Sequence, residues 1–360
     1  MKILAIETSC DDTSVAVIEN GDIVLSSFVS SQVELHTEFG GVVPEVAARE
    51  HVKNIIPVLD EAIQEAKTQV EDIDVIAVTK GPGLIGSLIV GVNTARSLAV
   101  LYKKPLVAVH HTEGHIYANW LKDNLPEGKT PPTFPLVCLT VSGGHSNIIY
   151  MPSHLIYEVI GETHDDAAGE AYDKVAKMLD LGYPGGPIIS EYAKSGDQTA
   201  FDFPLVDLTS EPKRNEDGFL VKPEESLDFS FSGLKTAVLK EVKQLTTNTQ
   251  PLTEKDKSNI AASFQKTANT ILTRNLLRAV KRYQPKSVLL SGGVAANENL
   301  RELIEKAVNN YDNKLFFYHP KPKYCTDNAA MIGAAAYFHQ QNNDFTKPET
   351  LIPDPGLKLT

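Results

Sequence analysis

The chain has 360 residues, more than the roughly 100–200 of one typical domain, so two lobes are the default reading. With 42% hydrophobic and 22% charged residues, its composition is that of a globular protein and excludes a disordered chain. A formal net charge of −12 argues against broad nucleic-acid binding, which needs an electropositive face, although a local basic patch or a partner that supplies one stays open.

The first segment, Lys2–Glu7, reads as a buried strand and meets a charge at once, unlike a signal peptide. No stretch reaches the roughly 18 uninterrupted apolar residues of a membrane span. The expectation is cytoplasmic residence with no membrane partner. Cys10, Cys138 and Cys325 are an odd number, far apart, and fit reduced thiols. Cys10 and Cys325 sit in motif loops, which leaves reactive thiols as the other reading.

Strands follow at 14–19 and 22–28, the first of them reached from Lys2–Glu7 through a turn that carries Asp11 and Asp12. Helical spacing covers 46–66, with Pro57 predicted to kink or restart it. A buried strand at 74–79 leads through Gly81, Gly83 and Gly86 into an apolar helix to Tyr102. In that helix Ile89, Val90 and Val92 suit either the core or a partner surface. The GxGxxG loop lacks the acidic residue that a dinucleotide site places about 20 positions on, so it reads as a tight turn and excludes hydride transfer. Strand Leu106–His110 then runs into a helix through His115 to Leu121.

A proline-rich connector at 127–135 marks the lobe boundary, and the opening pattern recurs after it. Strand Leu136–Val141, a turn at Ser142, Gly143 and Gly144, and strands at 146–151 and 156–160 form a divergent internal repeat. A helix at 166–180, a long polar loop at 200–230, and helices at 234–245 and 258–283 come next. The chain closes with a strand at 287–290, a helix at 297–308, a strand at 315–318 and a small-residue helix at 329–338. The expected division is 1–130 and 131–326, with helix 327–342 packing back on the first lobe and 343–360 a surface tail. The fold class is α/β: two duplicated lobes like those of the actin, Hsp70 and sugar-kinase group, with a nucleotide cleft between them.

His111 and His115 are four apart on a helix, hence on one face, and both imidazoles can reach one metal ion. The spacing alone equally fits two histidines sharing a helix by chance. A zinc peptidase needs its glutamate directly after the first histidine; Thr112 stands there, and Glu113 is about 100° further round. Asp327 is the candidate third ligand, or else the N-cap of the helix it precedes. Two histidines and a carboxylate suit Fe²⁺ or Zn²⁺. Paired glycines at 143–144, 185–186 and 292–293, with Asp173 near the second pair, let backbone press against phosphate or purine.

Nine ordered motifs resemble one family over nearly the whole chain. They are IETSCDDTS (6–14), GGVVPEVAAREH (40–51), GPGLIGSLIVGVNTARSLA (81–99), HHTEGH (110–115), VSGGH (141–145), DDAAGEAYDKVAKMLDLGYPGGP (165–187), DFSFSGLK (228–235), SGGVAAN (291–297) and CTDN (325–328). The family is TsaD of bacteria, the tRNA adenosine threonylcarbamoyltransferases once described as glycoproteases. The resemblance implies that His111, His115 and Asp327 hold one iron or zinc ion. It implies that Thr140, Val141, Ser142, Gly143, Gly144, Asp173, Gly186 and Asn297 line a site for threonylcarbamoyl-AMP. It further implies transfer to N6 of adenosine 37 in tRNAs that read codons beginning with A, with release of AMP. Implied partners are tRNA, the paralogue TsaB, the ATPase TsaE and the synthase TsaC; the stripe at Ile89 would then contribute to the TsaB contact. Asp11 or Asp12 is the candidate proton acceptor. Position 12 is often glutamate in the family, and Asp12 is one methylene shorter. The competing function is a metal-dependent glycopeptidase.

Overall fold

The computed structural model describes residues 1–125, 130–208, 225–246 and 251–360. Ten strands and ten helices alternate along these residues. The first half contains β1 (Lys2–Glu7), β2 (Asp12–Glu19), β3 (Ile23–Ser31), α1 (Val33–Thr37), α2 (Pro44–Glu65), β4 (Val75–Gly81), α3 (Ile85–Tyr102), β5 (Leu106–His110) and α4 (His111–Tyr117). The second contains β6 (Leu136–Val141), β7 (Ser146–Ser153), β8 (Ile156–Glu162), α5 (Ala168–Met178), α6 (Gly185–Ser195), α7 (Ser232–Thr246), α8 (Glu254–Tyr283), β9 (Ser287–Ser291), α9 (Glu298–Tyr311), β10 (Phe316–Tyr318) and α10 (Ala329–Gln341).

The repeat read from the sequence is a repeat of topology. One five-stranded sheet has the order β3-β2-β1-β4-β5 and the other β10-β9-β6-β7-β8. In each, the first three strands form an antiparallel meander and the last two add in parallel beside its first strand. Alternation along the strands fixes what each face covers. Leu4, Ile6, Val15, Val17, Ile76 and Val78 face α2 and α3, whereas Ile3, Ala5, Ala16, Ile18 and Ala77 face the other way. That second face shares one core with Leu136, Cys138, Ile149, Met151 and Leu289 of the other sheet. Helices α4 and α10 supply the layer between, through Ile116, Tyr117, Met331 and Ile332. Val137, Leu139, Val141, Ile148, Val288 and Leu290 turn outward to α5, α8 and α9. The result is five layers, with the HTEGH helix fully buried in the middle one.

Several local expectations shift. Pro57 neither stops nor restarts α2, which runs 22 residues through it. Pro57 and Lys53 are both exposed, so the Lys53 carbonyl, to which Pro57 has no N–H to donate, lies on the solvent side of the helix. Strand β2 begins at Asp12, so Asp12 belongs to the sheet and not to the turn. Helix α6 begins inside the Gly185-Gly186-Pro187 run, where a loop is the natural reading of that composition. Helix α3 has the length and composition of a membrane span, 18 residues, yet Leu88 is buried and Val92, Ala95 and Ala99 pack on the first sheet. Val92 is core, Val90 packs partly against it, and Ile89 is exposed. Of the connector at 127–135 and the loop at 200–230, residues 127–129 and 209–224 lie outside the described residues.

Candidate metal centre and nucleotide cleft

Both sheets end their parallel strands toward a common cleft of about 840 Å³. The volume is that of a small-molecule site, at the strand ends where α/β proteins bind ligands. From the first half come Ser9, Cys10, Asp11, Gly83 and His111; from the second come Ser142, Gly143, Gly144, His145 and Asp173; Asp327 joins them from the approach to α10.

His111 is the first residue of α4, directly after β5. Its N-cap is His110, whose ring accepts from the Thr112 N–H at 3.1 Å. One turn on, His115 presents its ring edge-on, 4.7 Å from that of His111. Asp327 completes the group: its Oδ1 is 3.5 Å from His111 Nε2 and 3.2 Å from His115 Nε2. Asn328, not Asp327, caps α10 by accepting from the Met331 N–H at 3.0 Å, so the aspartate is free for another use.

The donor set fits a metal ion. Three ligand atoms, one from each residue, cluster together, and the 3.5 and 3.2 Å separations from Asp327 Oδ1 to the two histidines are ones that an ion about 2.0–2.2 Å from each donor bridges. Both ring nitrogens of His115 are buried without a hydrogen-bond partner, although Asp327 is close. An unpaired buried imidazole is costly, and coordination removes that cost. Burial disfavours charge on His111, but Asp327 and Glu7 outweigh it and lift its pKa to about 9. Burial likewise opposes the charge of Asp327, and His111 and His115 overcome it, holding the carboxyl at about 2.

The glycines fall into two kinds. A Cβ on Gly81, Gly83 or Gly292 would strike the backbone oxygen of Asp354, Ser9 or Val141 at 1.8, 2.4 or 2.4 Å, so the protein's own packing requires glycine there. A Cβ added at Gly143, Gly144, Gly186 or Gly293 would meet nothing within 4 Å. Packing gives no reason for glycine at those four positions, whereas a ligand pressed against the backbone does.

The anticipated residues are not all equivalent. Asp11 lines the cleft. Asp12 is turned into the protein, where burial and the nearby Asp327 raise its pKa to about 7 and one oxygen has no partner. Asp173 lines the cleft while accepting from the Gly185 N–H at 2.7 Å, which caps α6. The side chains of Thr140 and Val141 are buried in the sheet, Thr140 bonding Ser291 at 2.9 Å. Asn297 caps α9 and is bonded to Ser190 and Gln265. Composition and spacing did not single out Ser9 or His145. His145 closes the VSGGH motif, and burial beside His111 lowers its pKa to about 4, leaving a neutral imidazole in the cleft. Burial raises the thiols of Cys10, Cys138 and Cys325, so none is a ready nucleophile.

Glu113 points away from the metal donors. Its carboxylate accepts from His339 Nε2 of α10 at 2.9 Å and from the Tyr157 hydroxyl of β8, tying three elements together. It has no access to a water on the ion, which removes the peptidase geometry.

A family model, tRNA N6-adenosine threonylcarbamoyltransferase (TsaD), matches residues 23–334. The chain belongs to the TsaD family. A TsaD-family relative of the same name from Staphylococcus haemolyticus is 49% identical over 340 residues, covering 94% of this chain and 92% of its own. One from Staphylococcus aureus is 48% identical, covering 95% and 93%. This TsaD-family member is thus a transferase that forms N6-threonylcarbamoyladenosine in tRNA. Among solved structures, full-length HypF in a phosphate- and nucleotide-bound form has a TM-score of 0.57 at 14% identity, covering 94% of this chain and 46% of that one. Component A of the Acidaminococcus fermentans (R)-2-hydroxyglutaryl-CoA dehydratase has a TM-score of 0.52 at 14% identity, covering 95% and 99%. These two likenesses concern the fold, which is of the actin, Hsp70 and sugar-kinase type.

Proposed function

We propose that the cleft binds threonylcarbamoyl-AMP and transfers its threonylcarbamoyl group to N6 of adenosine 37 in tRNAs reading codons that begin with A. The observation that carries this reading is a pair of unhindered glycines, Gly143 and Gly144, lining the same cleft as His111 and Asp327 of the three-donor group that His115 completes. His111, His115 and Asp327 would hold an Fe²⁺ or Zn²⁺ ion. When bound, it supplies Lewis-acid charge that orients the adenylate and polarises its oxygens.

The protein's own part is to position and to exclude. N6 of adenosine attacks the carbamoyl carbon; a C–N bond forms and the C–O bond to the phosphate breaks, with its electron pair leaving on AMP. The backbone at Gly143 and Gly144 gives the departing phosphate close approach to amide N–H groups. The proton released from N6 needs an acceptor, and Asp11 is a carboxylate of the cleft wall that neither ligates the ion nor caps a helix. Asp12, half-buried at the start of β2, stands behind it. Thr140, Val141 and Asn297 hold the glycine loops in place.

The rest of the reading concerns assembly. The two sheets support lobes divided at residue 130, with α10 returned to the first and 343–360 as its strap. Exposed Val52, Ile56, Ile85 and Ile89 on α2 and α3 offer an apolar surface to a TsaB-type paralogue. TsaE-type and TsaC-type proteins would supply ATP-driven turnover and the adenylate, in the cytoplasm where tRNA is modified. The test is reconstitution of the full chain with these partners, threonine, bicarbonate, ATP and tRNA. Threonylcarbamoyl-adenosine at position 37 is expected, and its absence overturns the reading.

A further inference from the structure

Strands β1, β4 and β5 lie side by side and end together, and their ends bring Glu7, Thr79 and His111 to one buried point. Glu7 has no exposed surface. It closes a strand whose preceding residues, Ile3 to Ile6, are all apolar core. A carboxylate in such a place is costly unless both oxygens are used. Both are. Oε1 accepts from the Ser9 N–H at 2.5 Å, and Oε2 accepts from the Thr79 hydroxyl at 2.5 Å and lies 3.1 Å from His111 Nδ1.

His111 Nδ1 is therefore occupied, by Glu7 and by the Ser9 hydroxyl at 3.1 Å. Only Nε2 faces Asp327. His115 is different, since its Nδ1 has no partner. The two histidines thus enter the site on unequal terms, one held from behind and one not.

We propose that Glu7 is the positioning residue of the metal site: it keeps the proton of His111 on Nδ1 and fixes the ring plane, so that Nε2 is delivered as a ligand. The inference rests on the metal reading above. It also makes Thr79 part of the site, as the hydroxyl that holds Glu7 to the neighbouring strand, and it links the Ser9 loop at the cleft wall to the same carboxylate. A carboxylate behind a ligating histidine is typically worth about 10–100-fold in metal affinity.

The test is titration of the metal-free full chain with Co²⁺, read by d–d absorption, followed by competition with Zn²⁺. Glu7→Gln keeps the size but exchanges a pure acceptor for an amide; it should bind Co²⁺ about 10–100-fold more weakly, with an altered spectrum. Thr79→Val, which touches no ligand, should weaken binding less and in the same direction; it decides the matter if Glu7→Gln does not fold. A folded Glu7→Gln protein, or failing that Thr79→Val, with wild-type affinity and spectrum overturns the proposal. Failure of the metal reading itself looks different: the wild-type chain gives no d–d bands, or His115→Ala binds Co²⁺ as tightly as wild type.

Discussion

The two halves share a strand order and differ at the ends of their parallel strands. The first half ends in charge held rigidly: Glu7 and His111, both buried, with the half-buried Asp327 across from them. The second ends in bare backbone, at Gly143, Gly144 and Gly293, with open space where side chains would stand. Duplication of one topology brings two edges face to face. On the proposed reading the chemistry then divides: one edge would fix an ion and the other would make room for a nucleotide.

The comparison breaks most visibly on the first side. His115→Ala removes a buried donor and is expected to abolish metal retention and lower threonylcarbamoyl transfer on the order of 10³-fold, as several kcal/mol of charge stabilisation implies. Metal analysis beside a modified-nucleoside assay checks this. Retained metal in a folded variant would show that the donors belong to something else.

Next comes the base. Asp11→Asn should lower kcat about 10²–10⁴-fold with the metal and the fold intact. Asp12→Asn, inside the sheet, should cost less than that. Equal losses at both positions would place the proton acceptor deeper than the cleft wall.

Glycine substitutions sharpen the second side. Gly144→Ala has open space and should leave the melting temperature unchanged while weakening adenylate binding by more than about 10-fold, a difference of about 1.4 kcal/mol. Gly292→Ala, at φ +86° with its Cβ 2.4 Å from the Val141 oxygen, should instead lower stability by about 1–3 kcal/mol. The reverse pattern would make the open glycines structural.

The smallest effect lies between the halves. Burial opposes charge on His339, but Glu113 and Asp344 overcome it and raise its pKa to about 9. Because the folded value is the higher one, the stabilisation is fully present below about pH 6.5 and is lost as pH rises through about 9. The melting-temperature gap between wild type and His339→Gln should therefore narrow by a few degrees from pH 6.5 to above pH 9. A constant gap would remove the charged pair from the account.

Much of this was legible in the sequence, for identifiable reasons. Strands β1 and β6 are apolar runs ending in polar turns, so the repeat is visible before any coordinates. The pair His111 and His115 is visible because a helix makes four-residue neighbours adjacent. Asp327 was ambiguous because Asn328 beside it is an equally good cap, and only geometry says which residue caps. Glu7 was hidden because at the end of an apolar strand it reads as the first exposed residue, when it is fully buried. Helix α6 was hidden by the Gly-Gly-Pro run at its start, and the continuity of α2 by Pro57. Nor does spacing separate Gly144, which has open space around it, from Gly292, which packs against β6. That distinction depends on strands far apart in the chain.

The central claim is that His111, His115 and Asp327 hold an ion that positions an activated carbamoyl donor. The most direct measurement is the single-turnover yield of threonylcarbamoyl-adenosine from preformed threonylcarbamoyl-AMP and tRNA. It would compare the partner-bound chain before chelation, after chelation, and after Fe²⁺ or Zn²⁺ is restored. The account predicts full yield, loss and recovery in that order; full yield from the chelated, verifiably metal-free protein would contradict it.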